Sequence, residues 1–355
     1  MFAAALGALR TEVPGLRPRP VASHIPPTGP ERGFEVDQTN QSVIVGDAAV
    51  VKLLSRTSPG AQPGVDLPAH LAAVGFDEIP PPVGSLWWRG ALVSTISTYL
   101  PGARDGWEWY VDLVVSAANG EAAWGVADAP AGAIGGLVAR LHRALATPST
   151  VFSVPVVEAD RAETARWRAA AESTLKEALA VTSGAEGERL AARASAVRNA
   201  FEAFDRVDRT PVMRIHGDLH VGQVMLGDDG ALRVGDFDGN PMTPASARNA
   251  PHAAARDVAS MACAIDHVGR VAARQRPRAG PSIEAWIERS RVAFLEAYRE
   301  GLGDLASLFD ERLFVAFAVA QEAHEFTYAA RYLRRWQYVP DAAMPAVLAW
   351  AGDAR

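Results

Sequence analysis

Apolar residues at 41–45 and 49–54, parted by Gly46-Asp47, predict a strand, a tight turn and a second strand. Residues 84–97 repeat the pattern around Arg89-Gly90 and predict a second hairpin, and Thr98-Tyr99-Leu100-Pro101-Gly102 at its exit is a natural hinge. The period then changes. Ile134, Leu137, Val138, Leu141 and Leu145 share one helical face and predict a helix over 131–145. Residues 158–204 carry no proline and much alanine, and the breaks at Ser183-Gly184 and Gly187 predict a helical hairpin. Val224-Met225-Leu226 and Leu232-Arg233-Val234 flank Gly227-Asp228-Asp229-Gly230, a β-hairpin with an Asp-Gly turn. Helices are expected from about 256 and over roughly 282–300 and 310–333. At the other end, prolines 14, 18, 20, 26, 27 and 30 exclude long helices, leaving a short helix at 2–10 and then an irregular extended segment. Strands followed by helices make an α+β chain. The expected division is a head at 1–33, a small mainly β N-lobe at 34–100 and a larger mainly helical C-lobe at 101–355.

The chain has 355 residues, enough for two lobes around a cleft. Its hydrophobic share of 49% and charged share of 21% are those of a soluble globular protein. A net charge of −6 offers no electrostatic footprint for nucleic acid or an acidic membrane. One cysteine, Cys263, lies in an apolar run and is expected as a buried thiol, so no internal disulfide can form. With no signal peptide and no membrane-spanning run, the expected setting is the cytoplasm, as a monomer or weak homodimer.

The chemistry concentrates in Arg214-Ile215-His216-Gly217-Asp218-Leu219-His220-Val221-Gly222-Gln223 and Val234-Gly235-Asp236-Phe237-Asp238-Gly239. Phosphoryl transfer to a hydroxyl needs an acceptor for its proton and oxygens to hold Mg²⁺ on the nucleotide phosphates. Protein kinases supply an Asp, an amide five residues later and a second Asp on the next strand. Asp218, Gln223 and Asp236 have that spacing, and the hairpin between them folds Gln223 and Asp236 toward one edge. Taken singly, His-Gly-Asp is an ordinary turn and Asp-Phe-Asp-Gly a loop; together they predict a kinase site. A zinc site on His216 and His220 competes through their i, i+4 spacing, but Gly217 in a strand-to-loop context argues against the helix it needs.

Lys52 is one of two lysines among 35 basic residues and sits inside a strand, where kinases place the ammonium that meets the nucleotide phosphates. The alternative is an edge lysine that discourages aggregation. Asp66 and Glu78 are the candidates for its acidic partner. The polar loop before the first hairpin, with Asn40 and Ser42, lies where a phosphate-covering loop belongs but lacks its glycines. Backbone at the hinge, around Thr98 and Leu100, would hold the adenine edge, with Ile96 or Leu100 against the ring. Asp257 opens a helix and is expected to brace the catalytic loop, with no part in the reaction itself.

Residues 36–42, 100–107, 141–145 and 216–223 resemble the aminoglycoside-phosphotransferase-like sugar kinases, a protein-kinase-like family. Within it they resemble the maltokinase and glucosamine-kinase branch of actinobacteria. The resemblance runs from about residue 34 to the C-terminus. It implies a bilobal kinase fold with ATP·Mg²⁺ in the cleft, Asp218 as base, Gln223 and Asp236 as metal ligands, and Lys52 on the phosphates. Asp238 is then placed to reach a second Mg²⁺ or to turn outward, and His216 to orient the loop beside the substrate. The head is shorter than a maltokinase cap, and the ending Tyr328 to Pro340 looks more like the glucosamine-kinase branch.

The small-molecule substrate follows from the C-terminal helix. At 100° per residue Gln321, Glu325, Tyr328 and Tyr332 form one stripe, with Trp336 at its end. It is either a solvated face with tyrosines at its margin or a sugar site, where rings pack on a pyranose and polar groups bond its hydroxyls. An amino sugar adds an ammonium that needs a carboxylate, Glu325 first, with Glu322 or an Asp of the catalytic lobe as substitutes. The expected reaction is glucosamine to glucosamine 6-phosphate. The alternatives are a maltokinase, an aminoglycoside phosphotransferase, for which no dense acidic rim is visible, and a nucleotide-binding module without catalysis, which would not need all three of Asp218, Gln223 and Asp236.

Overall fold

In the computed structural model, which describes all residues except 1, 12, 34–40, 55–61, 241, 244, 354 and 355, the N-terminal apolar pattern builds one antiparallel sheet. Its strands are β1 (Leu16–Pro20), β2 (Glu31–Gly33), β3 (Gln41–Val45), β4 (Ala49–Leu53), β5 (Pro82–Trp88) and β6 (Ala91–Thr98), with helices α1 (Phe2–Gly7) and α2 (Pro63–Ala73). The sheet order is β1-β5-β6-β4-β3-β2. Alternation turns Val45, Val51, Leu86 and Ile96 inward, where they bury with Phe2, Leu6 and Leu9 of the head in a small core of their own.

The head therefore does not stand apart. Its strands β1 and β2 are the two edges of the sheet, paired with β5 and β3. Proline argued for irregular chain, yet an edge strand leaves half its N–H groups unbonded, so Pro18 and Pro20 remove donors that the sheet does not need.

The rest of the chain is mainly helical: α3 (Gly106–Ala118), α4 (Trp124–Leu145), β7 (Val156–Asp160), α5 (Arg161–Val181), α6 (Gly184–Phe201), β8 (Arg209–Met213), β9 (Val224–Leu226), β10 (Leu232–Val234), α7 (Ala245–Arg248), α8 (Ala255–Gln275), α9 (Gly280–Leu302), α10 (Phe314–Tyr332) and α11 (Tyr338–Asp353). Asp105 caps α3 by accepting from Glu108 N, and Asp160 caps α5 by accepting from Ala162 N and Glu163 N, which satisfies donors at those helix starts. The apolar face read from 131–145 is buried throughout: Ile134, Leu137, Val138 and Leu141 are fully sealed in the larger core, which also takes in Val258, Phe294 and Phe326. The fold is thus a bilobal, kinase-like α+β architecture, with the sheet on one side of a cleft and the helices on the other. Among the described residues no helix is long and apolar enough to cross a membrane.

Candidate active site

The predicted hairpin exists, β9 pairing antiparallel with β10, and its closure brings the two halves of the motif together: Gly235 N donates to Gln223 O at 2.9 Å. Upstream of it, β8 delivers the chain to His216 and Gly217. Gly217 has φ 79°, a left-handed turn that reverses the backbone into Asp218. Both loop amides are held by one buried carboxylate: Asp257 Oδ2 accepts from His216 N at 2.8 Å and Oδ1 from Gly217 N at 2.9 Å. Burial alone would raise the Asp257 pKa. The His142 ring, 3.4 Å away, and these amide donors outweigh it and hold the group below the ordinary range. Asp257 is the brace that its place at the start of α8 suggested.

His216 is behind the loop and does not border the cleft. It is 1% exposed, its Nε2–H donates to Gly235 O at 2.8 Å, and its Nδ1 faces Asp218 N at 3.4 Å. Both ring nitrogens are spent on backbone, so it ties the loop to the strand end at Gly235 from outside the cleft. His220 takes Gly222 N on Nδ1 at 3.1 Å, and burial lowers its pKa. The zinc alternative is not supported: no group of three or more potential metal-binding His, Cys, Asp or Glu side chains occurs among the described residues. Cys263 is a buried free thiol.

Across the cleft, Lys52 lies opposite Ser42 on β3 and Thr95 on β6. Its acidic partner is neither expected candidate. Asp66 accepts from Gln62 N, and Glu78 is engaged by Arg140. Lys52 Nζ instead reaches Asp236 Oδ1 at 2.8 Å and Asp238 Oδ2 at 2.6 Å. Burial opposes the charge of the ammonium, but the two carboxylates outweigh it and raise the Lys52 pKa. Asp236 is lowered in turn because Lys52 overcomes its desolvation. Asp236 adopts φ 56°, a conformation uncommon for a residue with a side chain and often met at functional sites. Two hard carboxylates beside the Gln223 amide form an oxygen donor set of the kind Mg²⁺ takes, and the ammonium between them marks a place where a cation is already held.

The cleft, about 1380 Å³, spans both halves of the reaction. Ser42, Lys52, Ile96, Thr98 and Leu100 line one side, Asp218, Gln223, Asp236 and Asp238 the floor, and Gln321, Glu325, Tyr328 and Trp336 the far wall. The wall is pre-ordered: Gln321 Nε2 donates to Glu325 Oε1 at 2.9 Å, and the Trp336 ring meets Trp107 edge-on at 5.3 Å. The start of α3 packs tightly on this floor, since a Cβ at Gly106 would come within 1.9 Å of Val221 O. Asn40 lies outside the described residues.

Two of the expected sugar ligands are elsewhere. Tyr332 is the last residue of α10; the residue is 62% exposed and does not line the cleft, because the helix ends there and the chain turns back through Leu333 to present Trp336. Glu322 is fully buried behind the wall, where His267 Nε2 bonds its Oε1 at 2.9 Å. Burial raises the Glu322 pKa, and for His267 burial is outweighed by Glu322, with Glu325 and Asp266 behind it, so the imidazole is pushed up to about 9. A His with a folded pKa above its unfolded value of 6.5 contributes stability that is complete below pH 6.5 and disappears as pH rises through about 9. The gap in melting temperature between wild type and Glu322→Gln should therefore be several degrees near pH 6 and close by about pH 9.5. A gap that stays constant in melts across that range would refute the ion pair.

Sequence reasoning missed Asn240, His324, His267 and Arg248, all of which line the cleft. Asn240 Nδ2 donates to Asp218 Oδ1 at 3.0 Å, and Arg248 Nη1 donates to Asp238 O at 3.2 Å. The only signal for Asn240 was its place two residues beyond Asp238.

No family model matches the chain. It is 43% identical over 337 residues to a glucosamine kinase of Streptacidiphilus jiangxiensis, covering 91% of this chain and 74% of that protein. It is 42% identical over 329 residues to a glucosamine kinase of Mycolicibacterium smegmatis strain ATCC 700084 / mc(2)155, covering 90% and 79%. Among solved structures, a glucosamine kinase in complex with glucosamine, ADP and inorganic phosphate matches with a TM-score of 0.84 at 39% identity, over 98% of this chain and 82% of that one.

Proposed function

Since the chain belongs to the glucosamine kinase family, we propose that Asp218, Lys52 and the α10 wall carry out ATP-dependent phosphorylation of glucosamine, giving glucosamine 6-phosphate. The observation that carries this reading is that one cleft holds a loop carboxylate, a lysine–diaspartate cluster and a wall of amide, carboxylate and aromatic groups.

In the reaction the sugar hydroxyl gives its proton to Asp218 as its oxygen bonds to the γ-phosphorus. The bond from that phosphorus to the bridging oxygen breaks, and ADP leaves. Lys52 moves its ammonium from Asp236 and Asp238 to the nucleotide phosphates, which releases the two carboxylates. Asp236, Asp238 and Gln223 would then hold Mg²⁺, which supplies charge neutralisation on the β- and γ-phosphate oxygens. The hinge backbone at Thr98 and Leu100 holds the adenine edge, with Ile96 beside the ring. Ser42 borders the phosphates. With little covalent chemistry for the protein to perform, the rate gain comes mainly from positioning and charge stabilisation.

On the sugar side, Glu325 pairs the substrate ammonium, Gln321 and Tyr328 bond hydroxyls, and Trp336 covers an apolar ring face. A charge-assisted pair distinguishes glucosamine from glucose and from maltose, which carry no ammonium. kcat/KM for glucosamine should exceed that for glucose by on the order of 10- to 100-fold, the worth of one charge-assisted hydrogen bond. Glu325→Gln should remove most of that ratio while leaving the intrinsic ATPase intact. Initial rates with ATP on glucosamine, glucose and maltose, with phosphorus NMR of the product, test this. Equal use of glucose and glucosamine, or preference for maltose, would sink the reading.

A further inference from the structure

We propose that Asn240 is a positioning residue for the reaction: its amide aims the Asp218 carboxylate at the acceptor hydroxyl and ties that aim to the sugar-binding helix through His324. The proposal rests on the assignment of Asp218 as the base of the sugar kinase.

Three contacts clamp the amide. Met242 N donates to Asn240 Oδ1 at 2.9 Å, which decides which end of the amide is oxygen, because a backbone N–H needs an acceptor. The Nδ2 end therefore carries both side-chain donors. One is given to Asp218 Oδ1 at 3.0 Å, and the other faces His324 Nε2 at 3.4 Å. Turning the amide over would set oxygen against carboxylate and N–H against N–H, so the orientation has no competitor. Among the described residues no other hydrogen bond reaches the Asp218 carboxylate.

A free aspartate turns readily about its last side-chain bond, where the torsional preference is broad and two-fold. An unclamped base would spend part of its time with neither oxygen directed at the hydroxyl. With Oδ1 bonded to Asn240, Oδ2 is the oxygen left to take the proton. His324 stands beside Glu325 on α10 and lines the same cleft, so the amide spans from the base to the helix that holds the sugar. The segment that carries Asn240 also carries Asp236 and Asp238, which places base and metal ligands under one piece of backbone.

The test uses the purified full chain with Asn240→Ala and Asn240→Asp. Turnover, KM for glucosamine, ADP affinity by calorimetry and melting temperature are measured for each. Asn240→Ala should lower kcat by roughly 10- to 100-fold, as expected for a misaimed reacting group. KM and ADP affinity should stay within about twofold, since the contact acts in the transition state and not in ground-state binding. Asn240→Asp offers no donor and sets a second carboxylate beside the first, so the acid limb of its kcat–pH profile should move to higher pH. His220, Arg256 and Tyr328, which lie within the electrostatic reach of Asp218, are the same in both proteins. Full turnover in Asn240→Ala, an unmoved acid limb in Asn240→Asp, or a joint fall of kcat, sugar affinity and melting temperature would overturn the proposal. Turnover of wild type that is lost in Asp218→Asn but untouched in Asn240→Ala would do so while leaving the kinase assignment standing.

Discussion

Asp218→Asn should lower kcat on glucosamine by on the order of 10²–10⁴-fold, the usual weight of a general base. The substitution is isosteric, and the structure shows why the effect should be confined to chemistry. An amide oxygen at 218 still accepts from Asn240 Nδ2, and the contact of its backbone N–H with His216 does not involve the side chain. The Asp257 brace grips residues 216 and 217 and is also unaffected. The loop should therefore keep its shape, the melting temperature should hold, and calorimetry should return wild-type affinities for ADP and glucosamine. What is gone is the carboxylate proposed to accept the proton. Near-wild-type turnover in the variant, measured with the best sugar, would mean that another residue is the base.

Asp236→Ala is the second large effect, a loss of roughly 10²–10⁴-fold in kcat/KM, since metal-borne neutralisation of phosphate charge is worth several kcal/mol. Here two interactions fail together. The donor set loses a carboxylate, and Lys52 loses the partner 2.8 Å away that helps to hold it over the cleft. Asp238, at 2.6 Å, keeps Lys52 charged and in place, so the lobe arrangement should survive. The Mg²⁺ dependence of ATP binding should vanish in Asp236→Ala. In Gln223→Ala, which removes a neutral donor, it should weaken and shift to higher Mg²⁺. A Mg²⁺ titration unchanged in both variants would refute the ligand assignment.

Much of this site was legible in the chain because its decisive spacings are local. The interval from Asp218 to Gln223, the Asp-Gly turn and the two strand triplets are each set by a few adjacent residues, and the hairpin closes between near neighbours. The strand position of Lys52 and the buried face of α4 followed from periods of two and of 3.6, which the backbone imposes on any sequence that forms those elements. Of the stripe on α10, Gln321, Glu325 and Tyr328 border the cleft and Tyr332 does not, because the helix ends at Tyr332 and the chain turns back there. Glu322 failed differently: neighbours on a helix differ by about 100° in direction, and a carboxylate one residue off the stripe is turned into the core against His267.

By itself, then, the sequence determined the two central hairpins, the β9–β10 hairpin and most of the long helices, together with the spacing of Asp218, Gln223 and Asp236, since each rests on backbone periodicity, turn chemistry and local spacing. The tertiary structure alone decided the partners. Lys52 meets Asp236 and Asp238 across 184 and 186 positions, where Asp66 and Glu78 were nearer along the chain. Pro18 and Pro20 of the head took places in an edge strand once a sheet existed to receive them, and Asn240 became the neighbour of Asp218 when the loop after Asp238 folded back toward α10. No local preference encodes such contacts; they are fixed by the summed packing of both cores, which sets the two walls of the cleft at hydrogen-bonding distance.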